Sequence, residues 1–196
     1  MLAKNNRPIR KVKKTRSEKV ESGSATLLPD TSLSDILHTL ECLIMLENDE
    51  KWMCEALACA AKAVSRDEVP IGAVIVSENG EFLASAFNRT ITDNDPTAHA
   101  EIIAIRNAAA AIGNYRLTGT TIYTTIEPCV MCAGALVNAR VKRVVFGAHD
   151  ERFGAVETIY RLCDSEWLNH RLDITPGVLA DDCRALMQNF FRDKRK

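Results

Sequence analysis

No run of about 18 uncharged apolar residues occurs anywhere in the 196-residue chain, so the sequence offers no segment long enough for a membrane-spanning helix. The basic beginning is not followed at once by an apolar stretch ending in small residues, so a secretory leader is not expected and a cytoplasmic protein is. An even cysteine count is lacking too. The seven cysteines lie mostly singly within helix-like stretches, which argues for reduced thiols and against a disulfide framework. Nor is there a second C-x-x-C pair: only Cys129 and Cys132 have the spacing of metal ligands. Charge of one sign is missing overall, at net −1, but its distribution is uneven. Residues 1–30 hold eight Lys/Arg against three acids, which leaves residues 31–196 at −6. A nucleic-acid partner would therefore have to be drawn by local basic clusters, because the field of the body opposes a polyanion.

What is present fits one domain of roughly 150 residues with extensions. Hydrophobic residues make up 46% and charged residues 26%, the ordinary balance of a globular protein. Residues 1–30 are basic, then small and polar, with little to bury, and read as a disordered tail. A solvated tail is preferred over an arm that attracts nucleic acid. Residues 31–46 form a candidate amphipathic helix, and Glu18, Glu21 and Asp30 argue against a transit peptide. An ordinary enzyme start begins at Met45, so the division expected is a disordered basic extension over 1–44 and a catalytic domain over 45–196.

Within that domain, Trp52, Ala56, Cys59, Ala60 and Ala63 recur at helical spacing over 49–65. The apolar run 71–76, the Asn79-Gly80 turn and residues 82–87 predict an antiparallel hairpin. Asp95-Pro96-Thr97 reads as the start signal of an alanine-rich helix over 98–111. A strand over 120–125, a helix over 129–138 opened by Glu127-Pro128, and a strand over 144–146 follow. An edge strand over 171–175 and a terminal helix over 180–192, with Cys183, Leu186 and Phe190 on one face, close the chain. Strands alternating with helices predict an α/β sheet covered on both faces, mixed because its first pair is a hairpin.

Two segments carry chemistry. T-A-H-A-E supplies His99 and Glu101, and E-P-C-V-M-C supplies Cys129 and Cys132, each at a predicted helix start. Cysteines three apart share a helix face, and the positive end of the helix is expected to lower their pKa toward the thiolate that binds metal. One imidazole and two thiolates make three of the four positions of tetrahedral zinc and leave the fourth for water, as in a catalytic site. His38, His149 and His170 lie outside both segments, so no closing ligand is evident. Glu101, two residues beyond His99, can face the same cavity without ligating. It would take a proton from water acidified by zinc and deliver it to a ring nitrogen and a leaving amine. H-x-E alone is common by chance, and P-C-x-x-C alone also suits a thioredoxin-like dithiol. Both together, in this order, form the signature of zinc deaminases.

At these residues the chain resembles the cytidine/deoxycytidylate deaminase superfamily and, within it, the bacterial tRNA-specific adenosine deaminases. The resemblance runs from about Trp52 to Arg192, through EVPIGAVIV, FNRTITDNDPTAHAEIIAIR, NYRLTGTTIYTTIEPCVMCAGALV, RVVFGAHD and NFFRDKR. It implies a three-layer α/β/α fold with about five strands in a mixed sheet. It also implies hydrolysis of adenosine to inosine at the wobble position of a tRNA anticodon, with one zinc per chain on His99, Cys129 and Cys132 and Glu101 as proton shuttle. Asn88 would hydrogen-bond the flipped nucleotide and Asp150 would contact the target nucleoside. Phe190, Phe191 and Arg192 would lie on a terminal helix near the anticodon loop, in a homodimer whose RNA site is shared between subunits. The chain departs from the family pattern over 151–163, which leaves Arg152 and Phe153 unassigned. From the residues alone, paired phenylalanines on an amphipathic helix are usually core, and Arg140, Lys142 and Arg143 read as a solvated turn. Two rivals stand beside the tRNA enzyme: a deaminase of a free base or nucleoside, guanine or cytosine, and a non-catalytic subunit with structural zinc.

Overall fold

The computed structural model of the protein describes residues 33–195, so the expected tail over 1–30 lies outside the described residues. Helix α1 (Leu33–Val64) leads to the hairpin β1 (Gly72–Val76) and β2 (Phe82–Phe87). There follow α2 (Ala100–Ile112), β3 (Thr121–Ile126), α3 (Val130–Asn138), β4 (Arg143–Ala148), β5 (Asp173–Pro176) and α4 (Ala180–Asp193). The sheet order is β2-β1-β3-β4-β5. β1 pairs antiparallel with both β2 and β3, while β3 to β4 and β4 to β5 are parallel. The mixed five-stranded sheet expected from the sequence is therefore observed.

Strand alternation divides the core in two. Ala73 and Ile75 of β1, Ile122 of β3, and Val144 and Phe146 of β4 face the layer built from Ala100, Ala104 and Ala108 of α2 and Ala133 and Leu136 of α3. Val74, Val76, Tyr123 and Val145 face Trp52, Met53 and Ala56 of α1 and Cys183 of α4. β1, β3 and β4 thus bury both sides, which is why these central strands read as continuous apolar runs. Alanines on the helices bring the layers close. At Gly72 an added Cβ would sit 2.0 Å from the Ala56 carbonyl oxygen and 2.6 Å from the Ala60 nitrogen, so only glycine allows α1 to cross β1 here.

Three expectations are corrected. The separate helices over 31–46 and 49–65 are one continuous α1, because no glycine or proline interrupts residues 33–64. Leu37, Leu40, Leu43, Ile44, Met45 and Leu46 are exposed along its first half. The helix signal at Asp95 is instead a tight turn: Asp95 Oδ1 accepts from Thr97 N–H at 2.8 Å and Thr97 Oγ1 at 2.7 Å, and α2 starts only at Ala100. Arg143 is not part of a solvated turn. Its guanidinium grips both oxygens of Asp49, at 3.0 and 2.7 Å, and donates to Thr175 Oγ1, while Tyr123 O–H donates to Asp49 Oδ1 at 2.9 Å.

That network ties α1 to β3, β4 and β5 through a carboxylate only 2% exposed. Breaking a buried pair leaves an uncompensated charge. Asp49→Ala is expected to lower unfolding stability by about 3 kcal/mol, read from urea denaturation. A loss below about 0.5 kcal/mol, the scale of an exposed pair, would show that Arg143 finds water instead.

Candidate metal centre and active site

Two strand-to-helix turns build the site. The chain leaves β2 through Asn88 and returns at His99, the residue before α2, while β3 runs directly through Glu127-Pro128 into Cys129, the residue before α3. His99 and Cys129 are both N-cap residues with extended backbones, and neither side chain caps its helix. Both side chains are thereby free to turn inward. Cys132 follows one turn into α3, fully buried. His99 Nδ1 lies 3.7 Å from Cys129 Sγ and 3.6 Å from Cys132 Sγ, and the three ligand atoms all lie within 4.8 Å of one another. A tetrahedral ion with bonds of about 2.0 Å to nitrogen and 2.3 Å to sulfur holds those atoms about 3.6 Å apart. The donor set and its spacing therefore fit zinc.

Glu101 stands in the first turn of α2, 3% exposed. Its Oε2 is the one buried side-chain polar atom among the described residues without a hydrogen-bond partner. Burial pushes its carboxyl above the ordinary range. An unpartnered buried carboxylate oxygen is costly, and it fits a group that exchanges protons with a bound molecule.

The two cysteines, both expected to be lowered, divide. Its hydrogen bond with Cys132 and its contact with His99 bring Cys129 down to about 4, whereas the same Cys129 bond and burial push the Cys132 thiol up. Two sulfurs that share a proton in a dry site cannot both ionise without a cation. The hydrogen bond to Cys129 raises His99.

The other expected residues divide. Asn88, 4% exposed, accepts from the Ala100 N–H through Oδ1 at 2.9 Å, so its amide nitrogen is the group left to donate. Asp150 follows β4 and spends Oδ1 on the backbone N–H groups of Arg152 and Phe153, at 2.9 and 3.2 Å. Phe190, Phe191 and Arg192 sit on α4, which packs with α1 on the sheet face away from α2 and α3. No contact joins them to the His/Cys/Cys group among the described residues. The two rings stack edge to face at 5.3 Å, with Phe191 44% exposed, so the pair is not simply core.

Glu127, which the motif marks only as part of a helix opening, holds a second buried cluster. It is 3% exposed and accepts from the backbone N–H of Asp150 at 3.2 Å, Val156 at 3.1 Å, Glu157 at 2.8 Å and Thr158 at 2.9 Å, and from the Thr158 hydroxyl. Burial opposes ionisation, but the bonds from Glu157, Thr158 and Asp150 hold the carboxyl below its ordinary value. The only signal in the sequence is an acid placed directly before Pro-Cys.

A profile of the MafB19-like deaminase family matches residues 47–195. The chain is 47% identical over 150 residues to the tRNA-specific adenosine deaminase of Haemophilus influenzae, covering 76% of this chain and 87% of that protein. It is 46% identical over 151 residues to the tRNA-specific adenosine deaminase of Bacillus subtilis, covering 77% and 93%. Among solved structures, one from studies of A-to-I editing by tRNA:A34 deaminases at the wobble position of transfer RNA superposes with TM-score 0.67 at 43% identity, covering 69% of this chain and 98% of that one. The guanine deaminase from Nitrosomonas europaea superposes with TM-score 0.64 at 25% identity, covering 72% and 83%.

Because Cys132 and, at lower pH, His99 hold protons that a dication must expel, zinc affinity should rise with pH. Chelator competition between pH 6 and 8 is expected to show Kd falling about tenfold per pH unit, with a steeper fall at the acid end where His99 also titrates. A flat profile would mean that the metal binds elsewhere.

Proposed function

The chain belongs to the MafB19-like deaminase family, and from that premise we propose that it hydrolyses adenosine to inosine at the wobble position of tRNA anticodons. The observation that carries the chemistry is Glu101 Oε2, buried and unpartnered in the turn that also bears His99. Identity of 43% to the structure from the tRNA:A34 deaminase studies, against 25% to the guanine deaminase from Nitrosomonas europaea over a similar share of the chain, supports the substrate.

His99, Cys129 and Cys132 would hold zinc, which when bound activates water as a nucleophile near neutral pH. Glu101 would accept a proton from the attacking water and deliver one proton to ring N1 and one to the amino group, so that water and adenosine give inosine and ammonia. A carboxyl raised by burial is suited to hold the proton between the two transfers. Asn88, its oxygen committed to Ala100, presents its amide N–H to an acceptor on the nucleoside. Exposed Val130 and Phe153 flank Cys129 and its bridge partner Gly154, and offer apolar surface beside the site for bases next to the target. The same proposal includes Asp150, Phe190, Phe191 and Arg192 as RNA contacts, a homodimer that shares the RNA site, and a cytoplasmic place of action. It takes residues 45–196 as the catalytic unit, supported by the family match from residue 47. No described helix is long and apolar enough to cross a membrane.

Two measurements test the reading. Glu101→Gln should retain zinc and the fold while the rate falls by about 10²–10⁴, and a near-normal rate would remove Glu101 from the chemistry. An anticodon stem-loop with wobble adenosine should yield inosine, with little turnover of free adenosine, guanine or cytidine, because contacts outside the pocket supply much of the binding energy. Efficient turnover of guanine or cytidine with an inert stem-loop would replace the substrate assignment and leave the metal chemistry standing.

A further inference from the structure

We infer that Glu127 is a positioning residue: its carboxylate folds the 150–158 segment against the metal-bearing turn, and so sets where the RNA-contacting lip of the site stands. The inference rests on the tRNA reading for its substrate, but on geometry for its mechanism.

Five donors converge on one buried side chain. Oε1 accepts the backbone N–H of Val156, Glu157 and Thr158, while Oε2 accepts the N–H of Asp150 and the Thr158 hydroxyl. A carboxylate is acceptor-only, with about four lone-pair sites, so this one is saturated. It has no capacity left for a substrate, and its work is done on the chain itself. Its donors come from both ends of the segment, which closes it into a loop around the side chain.

Further contacts press that loop onto the site. Gly154 bridges to Cys129, and Ala155 N–H donates to the Pro128 carbonyl at 2.9 Å. The Gly154 N–H donates to the Asp150 carbonyl at 2.9 Å, and a Cβ on Gly154 would sit 2.4 Å from Glu127 Oε2. Only glycine permits the backbone to lie that close to the carboxylate. Asp150 and Phe153 are therefore fixed relative to Cys129 through Glu127 and the Gly154 bridge. Phe153 is left 64% exposed one residue from the bridge.

The role predicts a separation of effects. Glu127→Gln keeps the size of the side chain but replaces an acceptor oxygen with a donor facing N–H groups. KM for the stem-loop should rise about tenfold, the scale of losing one bond to a charged acceptor, while kcat changes less and zinc stoichiometry stays at one. Hydrogen exchange of the metal-loaded protein should show faster exchange at the amides of 154–158, with those of β3 and β4 unchanged. Thr158→Ala, which removes only the hydroxyl donor from an exposed position, should shift KM and exchange in the same direction by about threefold and carries the test if the first variant does not fold. An unchanged KM and exchange pattern in both variants would overturn the inference. So would loss of zinc in parallel with KM, since Glu127 would then act on the ligand turn and not on the loop. A wild-type enzyme inert on the stem-loop would instead overturn the substrate reading, and the exchange result would still judge the anchor.

Discussion

Two helices begin on side chains that do not cap them, and the rest of the site follows from that constraint. An N-cap residue ordinarily offers a side-chain oxygen to the free N–H groups of the first turn. His99 and Cys129 occupy those positions and turn inward instead. What the helix ends lose in capping, the site gains in field, since both positive ends are directed at the place where thiolate must form. The uncapped backbone is then served from a distance. Asn88 at the end of β2 takes the Ala100 N–H, which makes it a structural brace for α2 before it is anything to a substrate.

The same logic runs outward in layers. β3 and β4 lie parallel, so the turns after them open at the same edge of the sheet. The turn after β3 carries Glu127 and Cys129, and the turn after β4 carries Asp150. Glu127 joins them, with bonds that reach 23 to 31 residues along the chain. At the opposite edge of the sheet, where β4 begins, Arg143 and Asp49 close a second buried network across 94 residues. Charged groups at both ends of the strands are thus spent on fixing strand ends, while Glu101 Oε2 is the one buried side-chain polar atom among the described residues left without a partner. Strain of this sort survives where the surroundings over-determine it, here two alanine-faced helices packed against a saturated core.

Much of this was legible in the sequence because it is local. H-x-E and P-C-x-x-C name their ligands within five residues each, and the period of the apolar positions gave strands, helices and the mixed sheet. Three kinds of information were not local. The identity of the Glu127 donors depends on where a distant loop returns, which no spacing reveals. The division between Cys129 and Cys132 depends on which sulfur is drier and which accepts the shared proton. Finally, Asp95 looked like a helix cap because Asp-Pro-Thr satisfies both a cap and a tight turn, and only the later position of His99 decides between them.

Charge imposes the last constraint on an RNA substrate. Beyond residue 30 the chain sums to −6, and several of its exposed cations are paired with carboxylates: Arg89 with Asp93, Lys142 with Glu78, Arg161 with Asp164, Arg184 with Asp181, and Lys194 with Asp67. Exposed pairs of this kind are worth about 0–1 kcal/mol each, so an arriving phosphate can displace a carboxylate at little cost. Long-range attraction, however, is forfeited. A duplex offers such a surface only its phosphates, and gains little from it. A hairpin loop can also offer an unstacked base to a buried carboxylate and neighbouring bases to exposed Phe153 and Val130, which gives binding that does not depend on net charge. If RNA is the substrate proposed above, an acidic body would leave its recognition to the geometry of the loops around His99 and Cys129, and hence to whatever fixes those loops in place.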